Sequence, residues 1–211
     1  MYKKIIDYEN SLNKINLSVS GIESVIKDFS LEFPSVRNET VEHKMRVPMF
    51  VYPFYRFVIE GKQVPYQEQY WRAYAKHNRD WFDSVRPSNE IIEGLKARAF
   101  RTYPSLIRDL HFAKLVSEQN YFDEVIYNQD LDVKRGVDLL LKKDGRVFAV
   151  NLYTQTSRAY TARKKKESRH EKLDEDVLNI EFPVAFKGSK QCGQFFLYDI
   201  DDFERLKKLC A

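Results

Sequence analysis

Gly136-Val137-Asp138-Leu139-Leu140-Leu141-Lys142-Lys143-Asp144-Gly145-Arg146-Val147-Phe148-Ala149-Val150-Asn151-Leu152-Tyr153 reads as two strands joined by a tight turn. Asp-Gly is a favoured pair for a two-residue type I′ turn, in which both central residues take positive φ. Lys143 then faces Arg146, and each step outward keeps the paired residue numbers summing to 289. On that register Asp138 lies opposite Asn151, and Tyr153 lies beside Gly136. Opposed residues share one sheet face with Cβ atoms roughly 4.5–5.5 Å apart, so a carboxylate and a carboxamide could reach one bound ion or one phosphate. Asn151 in an apolar strand also calls for a specific partner, since a buried amide left unpaired costs roughly 1–3 kcal/mol.

Outward from the hairpin, Tyr121 to Tyr127 reads as a preceding strand and Asn128 to Asp132 as a polar turn. Thr102-Tyr103-Pro104-Ser105 reads as a helix start, with Leu106, Leu110 and Ala113 as its buried stripe. On the other side, Thr154-Gln155-Thr156-Ser157 offers a cap for a basic helix. Ile180 to Phe186 and Gln194 to Ile200 follow as strands separated by Gly188 and Gly193, and Asp201 caps a closing helix to Leu209.

The N-terminal part is expected to be mainly helical. Lys3 to Leu12 and Gly21 to Phe29 are short candidates, while Pro48 and Pro53 make Val47 to Ile59 an edge strand or apolar loop. Pro65 to Val85 is predicted as one helix carrying Tyr66, Tyr70, Tyr74 and Trp81 near one stripe, with Trp71 and Phe82 beside it. Helical spacing favours packing for these rings over a base-stacking platform. Pro87 ends that helix, and a second runs from Asn89 to Phe100. The chain therefore divides into a helical, aromatic-rich region at 1–98 and an α/β core at 99–211.

The order helix, three strands, helix, strand, with an acid facing a polar pair across a hairpin, resembles the PD-(D/E)xK (restriction-endonuclease-like) nuclease superfamily. The likeness covers roughly residues 100 to 200. Asp138 matches the family's metal-binding aspartate, Asn151 stands where Glu is usual, and Tyr153 stands where Lys is usual. Transposon-end endonucleases of the TnsA type are distantly similar in placing Gln before the lysine. The resemblance implies an α/β (α+β) fold with an αβββαβ core and a helical N-terminal lobe.

It also implies a site. Mg²⁺ or Mn²⁺ would be held by Asp138 and Asn151, with Asp109 of the core helix supplying a second acid. Glu124 is a further candidate beside Asp123, only one of which can share a face with Asp138. Such an ion polarises a phosphoryl oxygen and activates water, and an Asn carbonyl is a weaker ligand than a carboxylate. Tyr153, with an ordinary pKa near 10, would donate a hydrogen bond and carry no charge. Lys165 is then the candidate for a migrated lysine, seven residues from Arg158 and on the same helical face. Asp138 has a purely structural alternative as a strand-end residue satisfying turn amides.

The formal charge of +4 is unevenly spread: Ser157 to Lys172 holds seven Lys or Arg against Glu167 and Glu171, net +5, leaving −1 for the rest. Arg158, Arg163, Lys164, Lys165, Lys166 and Arg169, with Gln155, are the candidate nucleic-acid contacts; a solvated helix face is the plain alternative. Seven glycines form no spaced Gly-rich turn for a nucleotide pyrophosphate or triphosphate. Two cysteines form no zinc cluster or disulfide framework, and His111 and His170 lack a zinc spacing. No apolar run has the length of a signal or membrane span, so a cytoplasmic protein is expected.

Three functions follow as expectations. The first is a metal-dependent endonuclease acting on nucleic acid, DNA ahead of RNA, of the kind found in mobile-element or phage-defence systems. The second is a degenerate nuclease fold serving as a nucleic-acid-binding or assembly subunit, with protein partner subunits. The third is a protein-interaction module docking through the aromatic N-terminal region.

Overall fold

A computed structural model describes residues 8–155, 176–185 and 188–211. Among these, the helices are α1 (Val19–Ile26), α2 (Val51–Gly61), α3 (Gln67–His77), α4 (Arg79–Val85), α5 (Asn89–Glu118) and α6 (Ile200–Leu209). The strands are β1 (Glu124–Ile126), β2 (Leu139–Lys143), β3 (Arg146–Thr154), β4 (Val177–Val184), β5 (Lys190–Cys192) and β6 (Phe195–Leu197). The fold is mixed α/β. β1, β2 and β3 form an antiparallel meander, and β4 pairs parallel to β3, in the order β1-β2-β3-β4. The expected basic helix lies outside the described residues. No described helix is long and apolar enough to cross a membrane.

The central departure from expectation is α5. Two helices separated near Thr102 are instead one helix of 30 residues with Pro104 inside it. Proline brings no N–H, so the carbonyl four residues back loses its helical partner. Here that carbonyl belongs to Phe100, and it accepts from Gln67 Nε2 at 3.2 Å in a buried position. The same side chain bonds both the Glu32 carbonyl (3.0 Å) and the Glu32 N–H (2.7 Å). The helix therefore continues past its proline because α3 supplies the missing donor. The Tyr103 hydroxyl, donating to the Pro65 carbonyl, makes a second tie at the same level. The expected division between residues 98 and 99 falls within α5, and one buried cluster runs from Leu12 through the sheet to Cys210.

Val47 to Ile59 is also corrected. It contains the first two turns of α2, with Pro53 at the third helical residue. A proline in the first turn is harmless because that N–H has no intrahelical acceptor. Aromatic hydroxyls of α3 fasten the approach to α2: Tyr70 donates to the Phe50 carbonyl at 2.9 Å and Tyr74 to the Pro48 carbonyl at 3.2 Å. Their rings are fully buried, as packing predicts, whereas Tyr66 is 45% exposed. The single helix expected over Pro65 to Val85 is split at Asn78, whose side chain donates to the Tyr74 carbonyl at 2.8 Å while its own carbonyl accepts from Trp81 and Phe82.

One face of the sheet, carrying Leu139, Leu141, Phe148, Val150 and Phe182, packs beneath α5, where Phe112 stacks on Phe182 with ring centres 5.6 Å apart. The other face holds a smaller cluster of Ile126, Leu140, Ala149 and Val177, covered by Tyr8, Leu131 and Val137. The outer side of β1 is bonded by Asn10, whose side chain donates to the Val125 carbonyl (2.6 Å) and accepts from Tyr127 N–H (3.3 Å), and by Ser11 N–H to the Tyr127 carbonyl (3.0 Å). The strand expected at Gln194 to Ile200 is only β6, which pairs with β5 in a separate ribbon. The cap of α6 is Asp199, not Asp201: it accepts from Asp201 and Asp202 N–H, while Asp202 accepts from Asp199 N–H.

α1, α5 and the β5–β6 ribbon meet at an ionisable cluster of buried His111, partly buried Glu23 and exposed Lys190. His111, 1% exposed, donates from Nε2 to Glu23 (2.7 Å), and Lys190 bonds both Glu23 oxygens at 2.7 and 2.8 Å. His111 Nδ1 is buried without a hydrogen-bond partner among the described residues. Burial, helped by the charge of Lys190, holds the His111 pKa below the ordinary histidine value despite the nearby carboxylate. Burial alone would raise Glu23, but the hydrogen bonds from Lys190 and His111 outweigh it and its pKa is lowered.

Two outcomes are expected. Gln67→Ala should lower stability by about 1–3 kcal/mol in urea unfolding, and the loss should shrink in a Pro104→Ala background, where residue 104 regains an N–H for Phe100; an equal loss in both backgrounds would refute the compensation. Both His111 and Glu23 have folded pKa values below their unfolded ones, so their contributions are present at neutral pH and lost on acidification. The melting temperature should begin to fall as pH drops below about 6.5, where unfolded histidine takes up its proton, and His111→Gln should flatten that first part of the profile.

Candidate functional site

The hairpin forms as its turn residues require. Asp144 and Gly145 have φ of 50° and 76°, and the pairing runs from Lys143↔Arg146 to Leu139↔Val150 without a slip. The register shifts one residue further out. Asp138 N–H donates to the Val150 carbonyl at 3.0 Å, and Asp138 Oδ2 accepts from Leu152 N–H at 2.6 Å. Strand N–H groups point along the plane of the sheet toward the neighbouring strand. The Asp138 carboxylate thus lies at the end of β2 against the main chain of β3. It is not simply set face to face with Asn151. A short π-helical turn, Leu131–Arg135, followed by Gly136 at φ 68°, leads the chain into this position.

Asn151 does have the specific partner that its place in the strand demands. It is 5% exposed, and its Nδ2 donates to Asn179 Oδ1 at 2.6 Å. Asn179 Nδ2 in turn donates to Glu181 Oε1 at 3.1 Å. In the parallel register Asn151 is paired with Glu181, so this acid stands beside the carboxamide. Nothing in the sequence singles out Glu181. Its only signal is alternation within a strand, and the register of a parallel pair joined by a long connection cannot be counted from a turn.

Asp109 lies on α5, on the opposite side of the sheet from the Asn151–Asn179 pair. There it shares surroundings with Asp138. Burial raises the pKa of both Tyr127 and Tyr198 well above the ordinary tyrosine value, and the charges of Asp109 and Asp138 add to the rise at each. The Tyr198 hydroxyl is buried without a hydrogen-bond partner among the described residues. Tyr127 stacks on Tyr55 with centroids 4.5 Å apart, and Tyr55 is raised by burial first, then by Tyr127 and by Asp132 and Asp138. The three rings are therefore neutral phenols at physiological pH and form a low-dielectric wall beside the two acids.

Glu124 sits elsewhere. It pairs with Lys142 at the turn end of the hairpin, and its carboxylate meets Lys142 Nζ at 2.6 Å. Lys142 is four steps along the strand from Asp138, roughly 13 Å at the usual rise. Asp123 is at the same end, accepting from Asp144 N–H at 2.8 Å. Tyr153 is half-buried and pairs in register with Pro183. Gln155 does not begin a helix: its N–H donates to the Val184 carbonyl at 2.7 Å and prolongs the β3–β4 pairing. Arg158, Arg163, Lys164, Lys165, Lys166 and Arg169, and also His170, lie outside the described residues.

The ligand set expected for Mg²⁺ or Mn²⁺ is thus divided. Asp138 and Asp109 both act on Tyr127 and Tyr198, Asn151 donates from Nδ2 to Asn179 on the other face, and Glu124 is at the far end. Among the described residues no group of three His, Cys, Asp or Glu side chains is placed to hold a metal ion, and no step through a metal follows from them. Asp138 ties the start of β2 to β3, and the Asn151–Asn179–Glu181 chain lies along β3 and β4. The chain matches no protein-family model, no curated protein and no solved structure.

Proposed function

We propose that this chain is a nucleic-acid-binding protein on a nuclease-like core that has given up cleavage, acting in the cytoplasm as a binding or assembly subunit, on DNA ahead of RNA. The observation that carries this reading is the use of Asp138 and Asn151. Asp138, which a PD-(D/E)xK hairpin would turn toward a metal, accepts Leu152 N–H through Oδ2, and Asn151, standing where the family has its second acid, is a neutral amide whose Nδ2 donates to Asn179. The core around them is consistent with the superfamily: a long helix over an antiparallel meander, then a strand parallel to the third.

Charge supplies the binding half of the reading. The chain leaves β3 at Thr154 and enters β4 at Val177, and the sequence between them contains the seven Lys and Arg of residues 157–172. Phosphate neutralisation by such a segment releases counterions and is independent of base sequence. Cys192 and Cys210 are both free thiols, as suits a reducing compartment.

Fluorescence anisotropy with labelled duplex DNA over a salt series tests this. Log K should fall steeply with log salt, and replacing Lys164, Lys165 and Lys166 by Ala should reduce the slope by about 0.9 for each phosphate that is no longer neutralised. Mg²⁺ or Mn²⁺ should produce no cleavage of DNA or RNA substrates, and Asp138→Ala should leave binding in place. Metal-dependent cleavage abolished by Asp138→Ala would replace this reading with an active nuclease, and salt-insensitive or absent binding would reject nucleic acid as the partner.

A further inference from the structure

Away from the sheet, α2 and α3 splay on their outer side to form a cavity of about 480 Å³. Their inner sides are closed by aromatic packing, with Phe50 stacked on Tyr74 (4.7 Å) and Phe54 edge-on to Tyr70 (6.1 Å). Each helix contributes to the cavity one stripe at the i, i+3, i+4, i+7 spacing of a single helical face: Pro53, Arg56, Phe57 and Glu60 from α2, and Gln69, Arg72, Ala73 and Lys76 from α3. The volume lies in the range of small-ligand sites, roughly 300–1,000 Å³.

The lining has two chemistries. Phe57, Pro53 and Ala73 provide an apolar floor, with an aromatic ring on which a flat ligand could lie. Around it stand Arg56, Arg72 and Lys76, three permanent positive charges against the single negative charge of Glu60, with His77 at the end of α3. Arg56 is held by Glu60 at 2.8 Å, and Arg72 is only loosely paired with Glu68 at 3.8 Å. Exposed ion pairs of this kind are worth less than about 1 kcal/mol and yield readily to a stronger anion. Lys76 and His77 form no ion pair among the described residues. Gln69 uses its Oε1 to accept Tyr66 N–H at 3.1 Å, which leaves its amide NH₂ as a donor on the lining.

We infer that this groove is a nucleotide site: the phosphate is held by Arg72 and Lys76 with the Gln69 amide, and the base lies against Phe57. A bare phosphate would leave most of the volume and the apolar floor unused, and a neutral aromatic ligand would leave the cations unused. A nucleoside phosphate uses both. Arginine supplies a planar fork for phosphate oxygens, and lysine a point charge on the same helical face one turn away. The residues named for this site lie at 53–77 in the sequence, and the inference stands or falls independently of the nucleic-acid reading above.

Calorimetric titration of the full chain with adenosine 5′-monophosphate tests the inference. Binding is expected, with adenosine and inorganic phosphate each at least tenfold weaker. Because Arg72 and Lys76 are exposed, the double variant Arg72→Ala/Lys76→Ala should keep its circular dichroism and melting temperature while losing at least tenfold in affinity. Phe57→Ala should weaken the nucleotide without weakening inorganic phosphate. Replacing Lys164, Lys165 and Lys166 by Ala should leave all of these affinities unchanged. A 5′-phosphorylated oligonucleotide whose binding also falls in the double variant would assign the site to a chain end, and one that does not compete with the mononucleotide would assign it to the free form. No binding of the mononucleotide, or equal binding by the double variant, overturns the site.

Discussion

The architecture turns on one hydrogen bond replacing another. Pro104 deprives the Phe100 carbonyl of its helical donor, and Gln67 Nε2 supplies a substitute from α3. The consequence reaches well beyond the local turn, because α5 is the element that both halves of the protein share. Its N-terminal half receives the aromatic helices, and its C-terminal half lies on the sheet through Phe112. A break at residue 104 would give two helices free to set their own angles, and a single buried cluster from Leu12 to Cys210 could not be assembled on them. The three bonds of Gln67 also fix the Glu32 segment, so a single buried amide coordinates a loop, a helix start and a helix interior.

The sheet shows the complementary behaviour of polar groups, which are used to join strands. Asp138 takes up a main-chain donor where the β2–β3 register shifts, and the Asn151–Asn179–Glu181 chain runs across to β4. Of these groups Asn151 is the buried one, where an unpaired amide would be costly, and its Nδ2 is satisfied by Asn179. The neutral tyrosines beside Asp109 and Asp138 form a low-dielectric wall that raises the penalty on any charge that is left unsatisfied there.

The parts of this structure that could be read from sequence are those decided by nearest neighbours. Asp144-Gly145 specifies its turn, and the turn specifies the register for the length of β2. The aromatic spacing in α3 predicts burial of Tyr70 and Tyr74. The failures have a common physical origin in long-range partners. Pro53 and Pro104 carry the same local signal, yet one lies harmlessly in a first turn and the other is rescued by a residue distant in sequence from Phe100 (33 positions). The one-residue shift at Asp138 depends on an amide across the hairpin, and Glu181 reaches its place beside Asn151 through a parallel pairing whose register no turn encodes. Within the candidate site, Asp109 and Asp138 both face the buried Tyr127 and Tyr198 electrostatically, whereas placing Glu124 requires the length of β2 to be taken into account.

The cover supplied to β1 by Asn10 and Ser11 has a consequence for behaviour in a crowded solution. An outermost strand with unused main-chain donors and acceptors is a template on which a foreign strand can grow, the first step toward fibrils or swapped oligomers. Here those groups are occupied by the chain's own N-terminal segment, so polymerisation through that side of the sheet would first require Asn10 and Ser11 to be peeled away.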